Sequence, residues 1–402
     1  EVAAEASGNT VRVPADYPTI QGAVDAAQPG DLVLVSPGVY KEAVEVGVDK
    51  PYLTIRGLDR DETILDGEFE KANGIMVVKA KGVAIENMTA QNYTKNGFFW
   101  TGVEGYRGSY LTAVRNGDYG VYAFESTKGQ FDHGYASGSP DAGYYIGGCQ
   151  PCDAVITDVT SEWNGLGYSG TNAGGNLIIA NSVWRHNRAG IVPNSGSYEP
   201  DYPQDDNTIV GNLVHDNNNG ETAAIDIAIT AQGNGILVAG GINNTIERNR
   251  VVNHDLAGIA VITYPESSEW VWEATGNVVR DNVVSGSELG DLALWHDGEN
   301  AEVGEGNCFA GNTFDTSAPV DLEEQAPCEG DGEGDLSEGA FDIVQLAVND
   351  GKPDSVPYED VDLPEVPEQP EMPEADTAPG RPAVDVPMKI DLDAIEVPAA
   401  PE

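Results

Sequence analysis

The middle of the chain carries a loose repeat in which an Asn lies among apolar residues and a Gly closes the polar stretch that follows. The Asn residues are 31, 37, 33 and 30 residues apart, at Asn181, Asn212, Asn249, Asn282 and Asn312. Each unit has short alternating apolar runs and Gly or Asn turns, with no amphipathic helical stretch. A period of this length indicates one structural unit per repeat, stacked on its neighbours. The repeat therefore predicts a parallel β-solenoid.

In a solenoid, equivalent residues of successive coils lie about 4.8 Å apart, the spacing of neighbouring strands. The Asn column is interpreted as structural, because stacked Asn side chains hydrogen-bond one another along the axis. Alignment on the closing Gly gives coils at Gly97, Gly120, Gly143, Gly167, Gly190, Gly235 and Gly258. The long step before Gly235 contains two inserted segments, 195–204 and 220–232, which predict a wall beside a binding groove.

The charge of the chain excludes one class of partner. Among 402 residues, 67 are acidic and 20 are basic, which gives a formal net charge of −47. Nucleic-acid binding is not expected, because it needs a positive face against phosphate. Two interpretations of the acidity remain open. One is a solvation surface suited to a saline habitat, and the other is clustered carboxylates that bind a divalent cation such as calcium.

Several features predict a secreted, periplasmic or cell-surface protein. No run approaches the roughly 18 to 20 apolar residues of a membrane span, so no transmembrane segment is predicted. The chain begins at Glu1, as an exported protein does after loss of its signal peptide, and as a chain shortened for expression also does. An even number of cysteines favours two disulfides in an exported chain. A bridge between Cys308 and Cys328 would clasp the last repeat. The CxxC of Cys149 and Cys152 fits a local disulfide, a free pair or a soft-metal site.

The N-terminal segment differs from the repeats. Residues 1–10 indicate a flexible leader, and the helical apolar spacing of residues 20–27 predicts a cap over the first coil. Four motifs follow one another here: Tyr17-Pro-Thr-Ile20-Gln21, Ala23 to Ala27, Pro29-Gly30-Asp31 and Pro37-Gly38-Val39-Tyr40. With these motifs, residues 11 to about 320 resemble the pectin-lyase-like right-handed parallel β-helix proteins, in particular those with the repeats of the NosD group.

The resemblance implies an all-β chain whose residues 11–328 form a right-handed parallel β-helix of about nine to eleven coils. This fold carries polysaccharide lyases, hydrolases and epimerases, and also tailspikes, adhesins and accessory proteins. In the lyases, a basic side chain takes the C5 proton of a uronate while calcium or Arg offsets the carboxylate charge. A copper-accessory role like that of NosD relatives is not supported, because the sequence has no dense set of His or Cys ligands.

A second column carries charged side chains. Two residues before the aligned Gly, the series reads Lys95, Asp118, Asp141, Gly165 and Arg188. Asp118 and Asp141 are predicted about 5 Å apart on adjacent coils, as an acid/base pair or as calcium ligands. Lys95 and Arg188 would flank the pair. Four residues before the Gly, the series reads Tyr93, Asn116, Ser139, Trp163 and His186. It places His186 beside Arg188 as a supporting base. For all of these residues, a solvated or packing role at a turn is the alternative.

Aromatic residues concentrate between positions 93 and 168. Strand alternation puts the residues one after the Gly inside and those two after it, Phe99, Tyr122 and Tyr145, outside, unless the register slips by one. An exposed stripe of this kind would bind sugar rings or a protein surface, whereas a core stack is the alternative. Three further residues are predicted to contact substrate in the same groove: Trp163, Asn164 and Asn172.

Residues 329–402 form an acidic tail that holds 11 of the 24 prolines. This composition predicts a disordered or polyproline-like extension. The alternative is an arm that docks on the solenoid or on a partner. Such docking would use apolar residues that persist towards the end of the tail: Phe341, Ile343, Leu346, Met372, Met388, Ile390 and Ile395.

The leading hypothesis is a secreted protein that binds a polysaccharide and modifies it by lyase, epimerase or hydrolase chemistry. The rival is a non-catalytic scaffold that docks on a protein partner through the aromatic stripe and the tail, as a member of an assembly. Because the sequence lacks the known lyase signatures of the fold, whether the protein is an enzyme stays open. A metal-handling accessory role is a third and weaker interpretation.

Overall fold

The computed structural model describes residues 8–295, 306–330, 332, 341 and 352–401. Within these residues the chain winds into a parallel β-helix with one long sheet of two rows, sheet A, and a second long sheet, sheet B. All strand pairs between coils in the described residues are parallel, and sheet B has eleven strands. This number lies at the upper end of the predicted nine to eleven coils. No helix of the described chain has the length and hydropathy needed to cross a membrane.

The strands of each row are short and follow one another at the spacing of the repeat. The first row of sheet A contains Thr10–Val13, Leu32–Val35, Thr54–Gly57, Thr127–Asp132, Ala154–Thr157, Leu177–Ala180, Asn207–Val210, Thr245–Glu247, Val278–Arg280 and Cys308–Ala310. The second row contains Gly38–Tyr40, Thr63–Asp66, Tyr135–Ser137, Thr160–Glu162, Val183–Arg185, Leu213–His215, Arg250–His254 and Val283–Ser287. Two longer strands run through both rows, Val83–Gln91 and Glu104–Val114.

Sheet B contains Val44–Val46, Ile75–Val78, Phe98–Thr101, Tyr119–Phe124, Ala142–Gly147, Leu166–Thr171, Ala189–Asn194, Ile236–Ala239, Ala257–Ile262, Gly290–Trp295 and Ser317–Ala318. An antiparallel pair, Tyr264–Pro265 with Val271–Trp272, lies beside it. The helices are α1 (Ile20–Ala26), α2 (Asp226–Ala231), α3 (Leu322–Gln325) and a 3-10 turn at Leu392–Ala394. Thr19 caps α1 by accepting the Gly22 N–H, and the apolar face of α1 packs on the first strands.

The Gly column of the repeat is required by the close stacking of sheet B. A Cβ added at Gly120 would lie 2.6 Å from the carbonyl oxygen of Gly143, and one at Gly235 would lie 2.5 Å from that of Gly258. Contacts this short do not occur, so any side chain in this column would push the coils apart. The strand register from Phe98 to Ile259 follows the predicted alignment, which is therefore confirmed.

The inward and outward faces of sheet B also agree with strand alternation. Residues one after the Gly are buried in the main core: Phe98, Val121, Tyr144, Tyr168, Ile191, Ile236 and Ile259. Residues two after the Gly therefore face outward, where Val192, Leu237 and Ala260 belong to a separate apolar cluster on the outer side of the sheet. The predicted register is correct, and it leaves the outer face of sheet B available for a site.

The Asn ladder is present, with one correction. Asn212, Asn249, Asn282 and Asn312 form a chain of amide hydrogen bonds 2.9–3.0 Å long. Asn181 is not part of it, because its side chain is exposed and its backbone is left-handed, with a φ of 49°. On that coil Ser182 occupies the ladder position and donates its N–H to Asn212 at 3.2 Å. The left-handed turn position and the ladder position are neighbours that both favour Asn, so the sequence does not separate them.

Both predicted disulfides are formed. Cys149 is bonded to Cys152 and Cys308 to Cys328, and no free cysteine remains among the described residues. The free-pair and soft-metal alternatives for the CxxC are therefore wrong. The second bridge joins the last strand of sheet A to the segment that follows α3.

Residues 352–401 of the tail lie against the solenoid, which is the docked alternative rather than the disordered one. Met372 and Ile395 are buried, and Ile390 packs beside Ile395 on Ala180 and Val210. Met388 remains 40% exposed. Phe341 packs on the outer cluster of sheet B. Ile343 and Leu346 lie outside the described residues.

Candidate functional site

The outer face of sheet B forms a cleft between two walls. One wall is the insertion that carries α2, and the other consists of two loops, 195–204 and 263–272. Two cavities of about 370 and 320 Å³ lie end to end along the cleft, and both are lined by Val192, Asn194, Asp226 and Ile227. The insertions at 195–204 and 220–232 therefore flank a groove as predicted, but this groove begins near residue 119 and continues past residue 192.

The predicted charged column leads into this cleft. The Asp118 N–H donates to the Lys95 carbonyl at 2.9 Å, and the Asp141 N–H donates to the Asp118 carbonyl at 3.2 Å. These residues thus stack on adjacent coils. Their environments differ, however. Asp118 is partly exposed and pairs with the Lys95 ammonium at 3.5 Å, whereas Asp141 is 8% exposed and lines the cleft.

Asp141 shares the cleft with Glu199, a residue of the 195–204 insertion that no pattern in the sequence indicates. Burial raises the pKa of Asp141 to about 7, and the charges of Asp118 and Glu199 add to this effect. Burial also raises the pKa of Glu199 to about 7, with a smaller contribution from Glu125. Both carboxyls line the same cavity. A proton can therefore be held or released by this pair near neutral pH.

Tyrosine hydroxyls hold the two carboxyls. Tyr119 donates to Asp141, and Tyr145 donates to Glu199. The rings form part of an aromatic floor in which Tyr122 stacks on Tyr119 at 4.3 Å and on Phe99 at 4.6 Å. Tyr145 meets Tyr122 edge-on at 4.8 Å and is buried beneath the 195–204 loop. Of the predicted stripe, Phe99 and Tyr122 are half-buried on the outer face, while Tyr145 acts on the site through its hydroxyl.

The lining of the cleft is acidic or neutral. The described residues that line its two cavities include Asp141, Glu199 and Asp226, and none of them is Lys, Arg or His. Towards α2 and the 263–272 loop the lining becomes apolar, with Val192, Leu237 and Ile262 on the floor. One end of the cleft can thus transfer protons, while the other offers a surface for apolar faces of a ligand.

Arg188 lies in the predicted column but not in the cleft. Its guanidinium donates to the carbonyls of Gly220 and Thr222 in the α2 insertion and to those of Pro353 and Asp354 in the tail, at 2.6–2.9 Å. Burial lowers its pKa. These hydrogen bonds use its N–H groups, so Arg188 positions the wall and does not offset a substrate charge.

His186 and Trp163 lie at a different corner of the solenoid. Both have a left-handed backbone, and their rings are 6.4 Å apart. His186 faces His215 beside the last residues of the tail, and burial lowers its pKa. Neither side chain lines the cleft, so neither is placed to act with Asp141.

The two predicted substrate amides have structural partners instead. Asn164 is fully buried and bonds to Asn187 at 3.1 Å, in a second ladder that continues to Asn217. The predicted series therefore slips by one residue here, because Asn164 and Asn187 take the positions assigned to Trp163 and His186. Asn172 is also buried and donates to the carbonyls of Gly196 and Glu199. It fixes the loop that supplies Glu199.

The predicted calcium site fits the residues poorly. Calcium takes six to eight oxygen ligands. In the described chain, no group of three or more His, Cys, Asp or Glu side chains could hold a metal ion. Asp118 is paired with Lys95, and Asp141 accepts a hydrogen bond from Tyr119. Calcium binding by this pair stays a prediction.

Comparisons with known proteins identify the fold. Residues 73–269 match the family model described as right handed beta helix region, and no curated protein matches the chain. The A-module of mannuronan C-5 epimerase AlgE6 from Azotobacter vinelandii is similar with a TM-score of 0.51 and 15% identity, over 75% of this chain and 94% of that one. The AlgE4 A-module of the same organism gives 0.48 and 14%, over 74% and 94%. The alginate lyase of a Paenibacillus species gives 0.45 and 15%, over 76% and 99%.

At such identities the similarity to solved structures shows the fold alone. The family match covers the coils that build the cleft, and its fold agrees with the parallel winding and register described above. The chain therefore has the right-handed parallel β-helix fold, and residues 73–269 match the family model of that fold.

Proposed function

We propose that the protein binds an uncharged polysaccharide in the sheet B cleft and hydrolyses its glycosidic bonds, with Asp141 and Glu199 as the acid/base pair. The observation that carries the proposal is the presence, in one cavity, of two carboxyls with pKa values raised to about 7. Hydrolysis of glycosides needs two such groups. One protonates the leaving oxygen, and the other activates water or attacks the sugar.

The electrostatics of Asp141 and Glu199 support the assignment of one carboxyl as the acid and the other as the base. The charge of Glu199 raises the pKa of Asp141, so ionisation of one carboxyl favours the protonated form of the other. Near pH 7 the pair then holds one proton, which is the state that an acid and a base together require. The hydrogen bonds from Tyr119 and Tyr145 orient the carboxyls before a substrate arrives.

Uronate lyase or epimerase chemistry has less support in this cleft. Those reactions remove a proton next to a carboxylate, whose charge needs a cation or a strong donor. The described lining supplies three carboxyls and no basic side chain. The AlgE6 module is named as a mannuronan epimerase, which supports a polysaccharide as the class of ligand. We expect the sugar itself to be uncharged.

The scaffold hypothesis also has less support. The tail residues through which a partner would dock, such as Met372 and Ile395, are buried against the protein's own solenoid. Tyr145 of the aromatic stripe is buried as well. Two disulfides favour an oxidising compartment, so we propose that the protein acts outside the cytoplasm.

Substitution of each carboxyl tests the proposal. We expect Asp141→Asn and Glu199→Gln each to lower the release of reducing ends from a panel of neutral glucans, xylans, mannans and fructans by about 100-fold or more. Asp118→Asn is the matched control, because it alters the same column one coil away. Full activity in both cleft variants would contradict the proposal. Cleavage of alginate or polygalacturonate that is lost with EDTA and restored by calcium would instead favour calcium-assisted chemistry at Asp118 and Asp141.

A further inference from the structure

We infer that the wall beside the cleft carries a second sugar-binding surface, made by Tyr202, Trp270 and Trp272, which binds the same uncharged polysaccharide at a distance from the acid/base pair. The inference rests on the proposed function for the class of ligand. It adds an anchoring site that does not take part in the chemistry. We call these three residues the aromatic platform.

The aromatic platform is a compact stack with an open side. The rings of Trp270 and Trp272 are stacked at 5.1 Å with an angle of 15° between their planes. Tyr202 meets Trp270 at 5.5 Å and Trp272 at 5.3 Å, edge-on to both. Trp272 is 8% exposed, whereas Trp270 is 37% and Tyr202 47% exposed. Trp272 is therefore the base of the stack, and the other two rings face solvent.

The platform is held in place before any ligand binds. Glu266 accepts hydrogen bonds from the Ser197 N–H at 2.9 Å, the Ser197 hydroxyl at 2.7 Å and the Trp272 indole N–H at 2.7 Å. This carboxylate thus joins the 195–204 loop to the 263–272 loop. Gly240 allows the second loop to approach sheet B, since a Cβ there would lie 2.3 Å from that of Trp272. Little conformational freedom remains to be lost on binding.

The platform is continuous with the cleft. Tyr264 pairs with Trp272 across the two loop strands and lines the cavity together with Ile262. Tyr198, on the other loop, reaches into the cleft with its hydroxyl, which lies 3.3 Å from the Thr171 hydroxyl and 3.3 Å from the Asn194 amide nitrogen. Tyr198 as a whole is 61% exposed. A chain that leaves the cleft across this wall meets the platform.

The chemistry of the wall favours an uncharged sugar as its occupant. The 195–204 and 263–272 loops contain four acidic residues, Glu199, Asp201, Glu266 and Glu269, and no Lys or Arg. A polyanion would be repelled there. The negative face of an indole or phenol ring attracts the polarised C–H groups on the flat side of a sugar ring. Exposed aromatic clusters are rare on soluble proteins without a binding role.

Polymer binding by the full chain tests the inference. We expect Trp270→Ala to weaken retention in native gels containing a neutral polysaccharide by about tenfold, which corresponds to about 1.4 kcal/mol. Trp270→Phe, which keeps an aromatic ring, should retain most of the affinity for the polysaccharide. Tyr17→Ala is the matched control, because Tyr17 is also 37% exposed but lies at the N-terminal end of the solenoid. The gels would contain, one at a time, a soluble glucan, xylan, mannan or fructan, with alginate for comparison.

The outcomes separate this inference from the proposed function. If Asp141→Asn is inactive yet binds polymer, and Trp270→Ala in the same background weakens binding, the results support both the proposed function and the aromatic platform. If hydrolysis does not depend on Asp141 but Trp270→Ala still weakens binding, the proposed function fails and the platform stands. The inference is wrong if wild-type protein binds alginate better than every neutral polymer. It is also wrong if Trp270→Ala leaves polymer affinity unchanged and abolishes self-association on a sizing column instead.

Discussion

The outer faces of sheet A and sheet B differ in how much of them is covered, although both belong to the same solenoid. On sheet A, residues 366–401 run along the coils and cover them, whereas residues 352–355 contact the α2 insertion. On sheet B, loops and α2 form walls but leave a cleft between them. The two sheets share one core and one repeat. The difference between them therefore comes from the outward-facing side chains and from the segments that these side chains hold.

Arginine accounts for the covered face. Seven of the chain's eleven arginines donate to backbone carbonyls of the tail: Arg56, Arg60, Arg107, Arg115, Arg188, Arg248 and Arg250. A proline-rich segment lacks many N–H groups and forms no regular internal hydrogen bonds, so its carbonyls need other donors. Most arginines of this acidic chain thus bind its own tail, and the described lining of the cleft on sheet B contains carboxyls and no basic side chain.

Removal of the tail should have the largest effect and should affect one face only. A chain that ends at Val356 loses Val361, Met372, Ala375, Ala383 and Ile395, all of which are buried. We expect the free energy of unfolding to fall by at least about 5 kcal/mol, measured by urea denaturation followed by circular dichroism.

Residues 352–356 are retained in that variant because Arg188 binds Pro353 and Asp354. Hydrolytic activity at 25 °C should therefore persist. A chain that ends at Asp350 removes these acceptors too and should also lose activity, since the α2 wall is no longer held. Equal activity in both variants would show that the tail does not support the cleft.

The second prediction concerns the charge cluster beneath the tail. Glu86 is fully buried and pairs with Arg56 at 2.8 Å and with Arg107 at 2.6 Å. Glu86→Gln would leave two buried guanidinium groups without a counter-charge, and we expect a loss of about 3 to 5 kcal/mol. Glu104→Gln is the control, because Glu104 also pairs with two cations but about half of its side chain is exposed. It should cost less than about 1 kcal/mol. Similar losses would mean that the tail does not desolvate the cluster.

The third and smallest effect is the pH dependence of the open face. The folded chain keeps a proton on Asp141 up to about pH 7, whereas the unfolded chain releases it near pH 4. The folded state thus binds more protons in this window. The free energy of unfolding should therefore fall as the pH rises from about 4 to about 7, by about 2 to 4 kcal/mol from this group.

Asp141→Asn should remove that part of the slope, while Asp118→Asn should keep most of it, because burial is the main cause of the raised pKa and the charge of Asp118 is a smaller one. Urea denaturation at several pH values between 4 and 8 measures the difference. An unchanged slope in Asp141→Asn would show that this carboxyl is ionised in the folded protein, and it would remove the electrostatic basis of the proposed acid/base pair.

The columns of the solenoid were predictable because each one obeys a local rule. The Gly column follows from the close approach of neighbouring coils, and alternation places Phe99 and Tyr122 outside. These local rules gave the wrong assignment where the left-handed turn position and the ladder position lie next to each other, because both positions favour Asn. At Asn181 and Ser182, and at Trp163 and Asn164, the left-handed turn and the ladder position are neighbours, and only the folded backbone shows which residue occupies which.

The candidate site was predictable in part. Asp141 was identified through its column, and the 195–204 insertion was recognised as a wall. Glu199 was not identified, because nothing in a ten-residue insertion indicates which side chain turns inward. The role of Arg188 was missed for a related reason. Its acceptors come from residues 220–222 and 353–354, which are distant in sequence and meet only in the folded chain.

By itself, the sequence determined the parallel solenoid, its register and the absence of cations from the 195–204 and 263–272 loops. It favoured two disulfides but left the state of Cys149 and Cys152 open. These properties depend on repeat period, alternation and composition, which are local or additive. The tertiary structure decided which sheet is covered, which carboxyls are buried, and which aromatic residues reach solvent. Burial and pKa depend on how insertions and the tail pack across the coils, and those contacts join residues that no local pattern connects.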